Sequence, residues 1–156
     1  MENQMPAPGP LHDRLRALTG HWAGTEQMMP SPWSPEPSTR QGTIRARMLD
    51  GFFVISEYEQ TDAAGAVVFR GHGVYSVDPE TDECLMYWFD SMGGKGGVAR
   101  GSFDGNRLAF ENTSPFGRHR YSYTFEEGTT VFEMAMASAE GGEWQTLMRG
   151  EYNAVD

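Results

Sequence analysis

The chain has 156 residues, enough for one domain with a full core or for one sheet wrapped round a cavity. Its net charge of −10 and sequence pI near 4.8 argue against nucleic-acid and anionic-membrane partners, and no run of Lys or Arg reverses the sign locally. A single cysteine, Cys84, rules out an intrachain disulfide, and no apolar run approaches the roughly 20 residues that a spanning helix needs.

The opening MENQMPAPGP has neither the basic start nor the apolar stretch of a signal peptide, so a cytoplasmic location is expected. Residues 1–9 read as a disordered tail, and residues 10–156 as one domain. PLHDRLRALTG (10–20) is the one helix candidate: Pro10 suits a helix start, Gly20 a stop, and Leu11, Leu15 and Leu18 share a face. A helix this short must pack on something, and the end of a barrel would serve.

After Gly20 the period changes to two. HWAGTEQMM begins as a strand and breaks into the proline-rich MMPSPWSPEP (28–37), which could cover a barrel mouth with Met28, Met29 and Trp33 turned inward. GTIRARML (42–49), FFVISEYEQ (52–60), AVVFRGHGVYSV (66–77), CLMYWFDSM (84–92), VARGSF (98–103), RLAFEN (107–112), RHRYSYTF (118–125), TTVFEMAMA (129–137) and EWQTLMRGEYN (143–153) follow as strands, with TSPFG (113–117) as a loop. Asp50–Gly51 is a two-residue hairpin signal. Gly71 and Gly73 predict a bulge or bend. About ten strands with short turns and no crossover helix predict antiparallel neighbours, and closing such a sheet removes both exposed edges.

LRALTGHWAG (15–24) resembles the opening of lipocalin-like proteins, and VDPETDECLMYWFDSMG (77–93) resembles the bacterial domain-of-unknown-function family fifteen seventy-nine. RGSFDGNRLAF (100–110) and VFEMAMASAEGGEWQTLMRGEY (131–152) are similar to the second half of that family, so the resemblance spans about residues 11–153. It implies a calycin-like barrel related in shape to lipocalins, fatty-acid-binding proteins and nitrobindins, and no known activity. The chain departs from the family at Ser76–Val77, where Gly–Tyr is common. It also ends RGEYNAVD, without the histidine that nitrobindin-like haem ligation needs.

The fold class expected is therefore all-β: a single antiparallel up-and-down calycin-like barrel of about ten strands with a short N-terminal capping helix. Trp22 stands where it could plug the closed end. Trp88 and Asp90 share a strand face, which offers a carboxylate beside an indole for acid/base work or for a ligand cation, or else an acceptor for turn amides. Glu57 and Glu59 face Arg45 and Arg47 through the hairpin, as an outer ladder or as an inner polar site; both faces of that strand are mixed, so its inward side stays open. His119 shares parity with Tyr121, Tyr123 and Phe125 and could titrate inside the barrel or serve as a structural histidine.

His12, His21, His72 and His119 have no metal-ligand spacing, and no nucleophile elbow, phosphate loop or dinucleotide fingerprint occurs, so no metal and no cofactor are expected. The lining expected of the barrel is Trp22, Met48, Trp88, Tyr121, Tyr123, Met134, Met148 and Tyr152, a set of rings and methionines that adapts to apolar ligands. The functional expectation is binding of a small, mostly hydrophobic organic molecule in that cavity. The alternative is a cofactor-independent isomerase, cyclase or hydrolase using Asp90, Glu57 or His119. A homodimer stays open.

Overall fold

The structure, a computed structural model, describes residues 4–31 and 34–156. Ten strands form one closed barrel: β1 (Gly20–Met28), β2 (Ser38–Leu49), β3 (Phe53–Thr61), β4 (Val67–Val77), β5 (Cys84–Asp90), β6 (Gly97–Asp104), β7 (Arg107–Ser114), β8 (Gly117–Glu126), β9 (Thr129–Ala137) and β10 (Gln145–Ala154). Each strand pairs antiparallel with its sequence neighbours, and β1 also pairs with β10, from Trp22↔Ala154 to Met28↔Met148, which closes the ring. This is the up-and-down barrel that the alternation predicts. Among the described residues, no helix is long and apolar enough to cross a membrane. The expected tail over residues 1–9 lies partly outside the described residues.

The helix is short. α1 (Pro10–Arg14) opens on Pro10 and continues as a 3-10 turn over Leu15–Leu18. Its apolar face enters one end of the barrel. Leu15 and Leu18 are buried there with Val54, Tyr75, Cys84, Met86, Leu108 and Phe110, and the hydroxyls of Tyr75 and Tyr123 meet at 2.6 Å. That end is filled. The hairpin at Asp50–Gly51 lies on the same side: both residues take positive φ, 51° and 82°, which Asp-Gly tolerates and which fits the twist of β2 and β3.

Three local expectations change. β2 begins at Ser38, four residues before GTIRARML, because β1 offers it partners out to Met28↔Ser38 and pairing overrides weak local pattern. TSPFG is mostly strand: β7 runs to Ser114, β8 starts at Gly117, and Ser114↔Gly117 closes a tight hairpin. The register passes unbroken through Gly71 and Gly73. The irregularity on β3–β4 falls between Gln60 and Thr61 instead, while a side chain at Gly71 would run into the indole of Trp88. These glycines make room for a neighbour rather than a bend.

The β1–β2, β3–β4, β5–β6, β7–β8 and β9–β10 connections lie at the end opposite the helix. Of the residues expected to turn inward from the proline-rich stretch, Met28 lines the lumen, Met29 does not and donates its amide to Leu147 O at 2.8 Å, and Trp33 lies outside the described residues.

Two outcomes follow from the filled end. Leu15→Ala should lower the urea unfolding free energy by about 2–5 kcal/mol with an unchanged m-value; a loss within experimental error would mean that the helix does not seal the barrel. Cys84 is 1% exposed and burial pushes its thiol up to about 11. It should therefore resist a thiol-specific colorimetric reagent at pH 8 until denaturant is added.

Candidate functional site

Above the filled end the inward residues enclose a partly open cavity of about 350 Å³. That sits near the lower end of the roughly 300–1,000 Å³ typical of small-molecule sites. Its wall is mainly aromatic and thioether. Tyr58 stands against Phe69 and Trp88, with ring centroids 6.0 and 6.3 Å away, and Tyr123 packs on Phe132 at 5.0 Å. Trp88 lies over the glycine backbone of β4, so its outer face is supported and its inner face looks into the lumen.

The expected lining residues Trp22, Trp88, Tyr121, Tyr123, Met134, Met148 and Tyr152 all stand on this wall. Met48 does not: it packs against the filled core, because β2 reaches the closed end by that residue. Trp22 donates its indole N–H to Thr19 O at 3.2 Å, which ties the ring to the residue that follows the 3-10 turn. On β3 the inward face is Val54, Ser56, Tyr58 and Gln60, which settles the strand whose two faces looked alike.

The three acid/base candidates separate. Asp90 is on the cavity wall, at the end of β5; its Oδ2 accepts from Trp88 Nε1 at 2.8 Å and its Oδ1 from the Met92 amide at 2.9 Å. Asp90 thus accepts from the indole and from a turn amide on one carboxylate. Glu57 is exposed on the outer face and pairs with His72 Nδ1 at 2.5 Å. Glu59 likewise turns to Arg70, at 3.2 Å. The expected ladder to Arg45 and Arg47 gives way because an outward side chain on an inner strand has two neighbours, and β4 supplies the closer partners. His119 is half-buried, held at Nε2 by Ser114 Oγ at 2.8 Å and stacked on Tyr121; it is not on the wall, and burial lowers its pKa.

One polar cluster escaped sequence reasoning. Glu26 on β1 is 0% exposed. Its Oε2 accepts from the Tyr58 hydroxyl at 2.5 Å and from the Tyr152 hydroxyl, and its Oε1 accepts from Gln60 Nε2 at 2.9 Å. A side chain at Gly42 would collide with this carboxylate, and one at Gly150 with the Tyr152 hydroxyl, so two glycines hold the space open. The available signal was parity: Glu26 lies on the same strand face as Trp22, Gly24 and Met28. Tyr58 and Tyr152 present this cluster to the lumen, with Glu26 behind them. Nearby Thr130 Oγ1, buried on the wall, has no hydrogen-bond partner among the described residues.

Burial raises five tyrosines. Tyr75 is pushed up to about 12; Tyr58 and Tyr152 go higher, by burial first and by the Glu26 carboxylate second; Tyr121 and Tyr123 also rise, chiefly by burial. At physiological pH they are neutral hydrogen-bonding groups rather than proton acceptors. Among the described residues no histidine stands on the wall, and no group of three His, Cys, Asp or Glu could hold a metal. The donor set for histidine-ligated haem is therefore not in the lumen.

The sequence pattern described as "Protein of unknown function (DUF1579)" matches residues 7–154. The chain belongs to the DUF1579 family. Among solved structures, this family member is similar to the crystal structure of Rv2717c from M. tuberculosis, with a TM-score of 0.72 at 15% identity over 96% of this chain and 99% of the other. It is also similar to the S-type phycobiliprotein lyase CPES from Guillardia theta, with a TM-score of 0.64 at 9% identity over 94% of this chain and 93% of that one. No curated protein matches. At these identities the two structures share the barrel with this chain.

Tyr152→Phe removes a buried hydrogen bond to a carboxylate and should destabilise the protein by about 1.5–3 kcal/mol in urea; no change would mean that the bond is not formed in solution. The raised tyrosines also set an alkaline limit. The fold favours their neutral form, so the stability they contribute is complete below the ordinary value of 10 and is lost as pH rises above it. Absorbance at 295 nm should show a deficit of tyrosinate above pH 10 that disappears abruptly on unfolding. Smooth ionisation of all the tyrosines near pH 10 in folded protein would contradict the buried cluster.

Proposed function

We propose that this barrel binds a small, mostly apolar organic molecule in its lumen. The observation that carries the reading is the cavity itself: a hollow of about 350 Å³ walled by rings and methionines, above an end already filled by the protein's own side chains. A ten-strand barrel is wide enough to leave room for one small ligand. Methionines at 28, 86, 134 and 148 give a wall that can adapt to its guest. The polar side chains Ser56, Gln60, Thr130 and Tyr152 on that wall are all uncharged.

Binding is favoured over turnover by the placement of the acid/base candidates. Glu57 and His119 lie off the wall, and Asp90 alone of the three touches the cavity. Catalysis in this lumen would have to run through Asp90 or the tyrosines. The similarity to a phycobiliprotein lyase is one of barrel shape. The net charge of −10 is in keeping with a protein that avoids nucleic acid and anionic lipid.

Thermal unfolding with a panel of uncharged lipophiles tests this. At a concentration one hundred times Kd a ligand adds about 2.7 kcal/mol, which corresponds to a Tm rise of roughly 5–10 °C for a domain of this size. Met134→Trp, which fills the lumen, should abolish the rise while the protein stays folded by circular dichroism. No shift with any of the panel, or an undiminished shift in Met134→Trp, would remove the proposal.

A further inference from the structure

We infer that the polar end of the ligand is a cation: an organic ammonium seated at the mouth against Asp90, with its apolar part in the lumen. The inference rests on the binding proposed above and names the class of molecule bound. Asp90 is the one charged side chain among the described residues that line the cavity. Its carboxylate is half-buried, and its two hydrogen bonds come from an indole N–H and a backbone amide, both neutral donors. A carboxylate has about four acceptor sites, so two remain for a ligand.

Among the described residues, no cation fills that role. Arg70, on the neighbouring strand, is turned outward to Glu59 at 3.2 Å. Arg118 is held by the carbonyls of Ser138 and Gly142, both at 3.2 Å, and lies over the Trp144 ring. Lys95, in the β5–β6 connection, is exposed. A carboxylate without a counter-ion among the described residues on the wall of an apolar hollow is complementary to a positive group, and the attraction between the two is stronger where water is partly excluded.

The surroundings fit the same ligand. Trp88 turns its inner face to the lumen beside Asp90, with Tyr58 next to it and Tyr121 also on the wall. Ring faces attract ammonium groups, by about 0.5–2 kcal/mol depending on exposure. Deeper polar groups are uncharged, and the second carboxyl near the lumen, Glu26, stands behind Tyr58 and Tyr152. A fatty-acid anion would meet no positive charge among the described residues of this wall and would be repelled by Asp90. The overall charge of −10 acts on approach in the same sense.

Calorimetric titration of the full chain at pH 7.5 with decyltrimethylammonium, 1-decanol and decanoate, the two ions below their micelle concentrations and the alcohol below its solubility, separates the possibilities. The ammonium should bind at least about tenfold more tightly than the alcohol, which is 1.4 kcal/mol, and decanoate should bind more weakly than the alcohol. Asp90→Asn should reduce the ammonium-to-alcohol ratio to about threefold or less. Glu59→Gln, the same change of charge on the outer face, should leave the ratio intact. A preference for decanoate, or a ratio that survives Asp90→Asn, overturns the inference. Decanol binding without an ammonium advantage sinks the cation alone, whereas failure of all three probes sinks the lumen as a binding site as well.

Discussion

Closure of this barrel depends on β1, and the buried carboxyl of Glu26 is what ties that strand to the others from inside. β1 has the chain's last strand on one side and its second on the other. Without it, two edges of unpaired backbone would face water. Glu26 adds a side-chain tie to its ladder partner β10, through Tyr152, and reaches past β2 to Tyr58 and Gln60 on β3. A carboxyl with no water access must have all its partners supplied by the protein. Three donors meet that requirement, and in doing so they fix two phenols at one height on the lumen wall. An apolar substitute could match the cluster in stability. It could not hold Tyr58 and Tyr152 with their hydroxyls turned to the same point.

The division of the barrel into a filled end and a hollow end comes from the sizes of inward residues. Near the helix they are large, Leu108, Phe110, Tyr75 and Tyr123 among them, and Leu15 and Leu18 enter between them. Toward the other end glycines recur on the inner face at 24, 42, 71, 73 and 97. Some of the room they leave is taken by neighbours that bend over them, Trp88 above Gly71 and the Glu26–Tyr152 pair above Gly42 and Gly150. The rest is cavity. The same substitution pattern that makes the hollow also orients its main aromatic wall, since Trp88 can lie flat only where the facing strand has no side chain.

Charge is sorted across the sheet as strictly as size. The ion pairs Glu59–Arg70, Arg120–Glu111 and Arg149–Glu133 join exposed or half-exposed partners, as does the Glu57–His72 contact, and in Arg100–Asp78 the arginine is exposed. Exposed pairs of this kind contribute little to stability; their service is to keep strands soluble on the outside. Inside, among the described residues, one carboxyl touches the lumen and one lies behind its wall. That contrast gives Asp90 its interest, because a lone carboxylate in a neutral aromatic setting is a chemical preference, not a filler.

Period-two alternation, the Asp50–Gly51 turn, the short connections and the Pro10-to-Gly20 helix are local properties, so the strand count, the antiparallel order and the capped end were legible from residues close together in the chain. The aromatic and methionine lining was legible for the same reason, on β5, β8, β9 and β10, where one face is plainly apolar. Local pattern could not choose the inward face of β3, whose two faces are both mixed; the strands on either side chose it. Nor could it identify Glu26, because a carboxylate in an alternating strand reads as solvent-facing until Tyr58, 32 residues on, and Tyr152, 126 residues on, are brought against it. The sequence by itself determined the period, the turns and the closed cylinder they make. Only the tertiary structure decided which groups meet across and around the lumen, since separation along a strand says nothing about distance across a barrel.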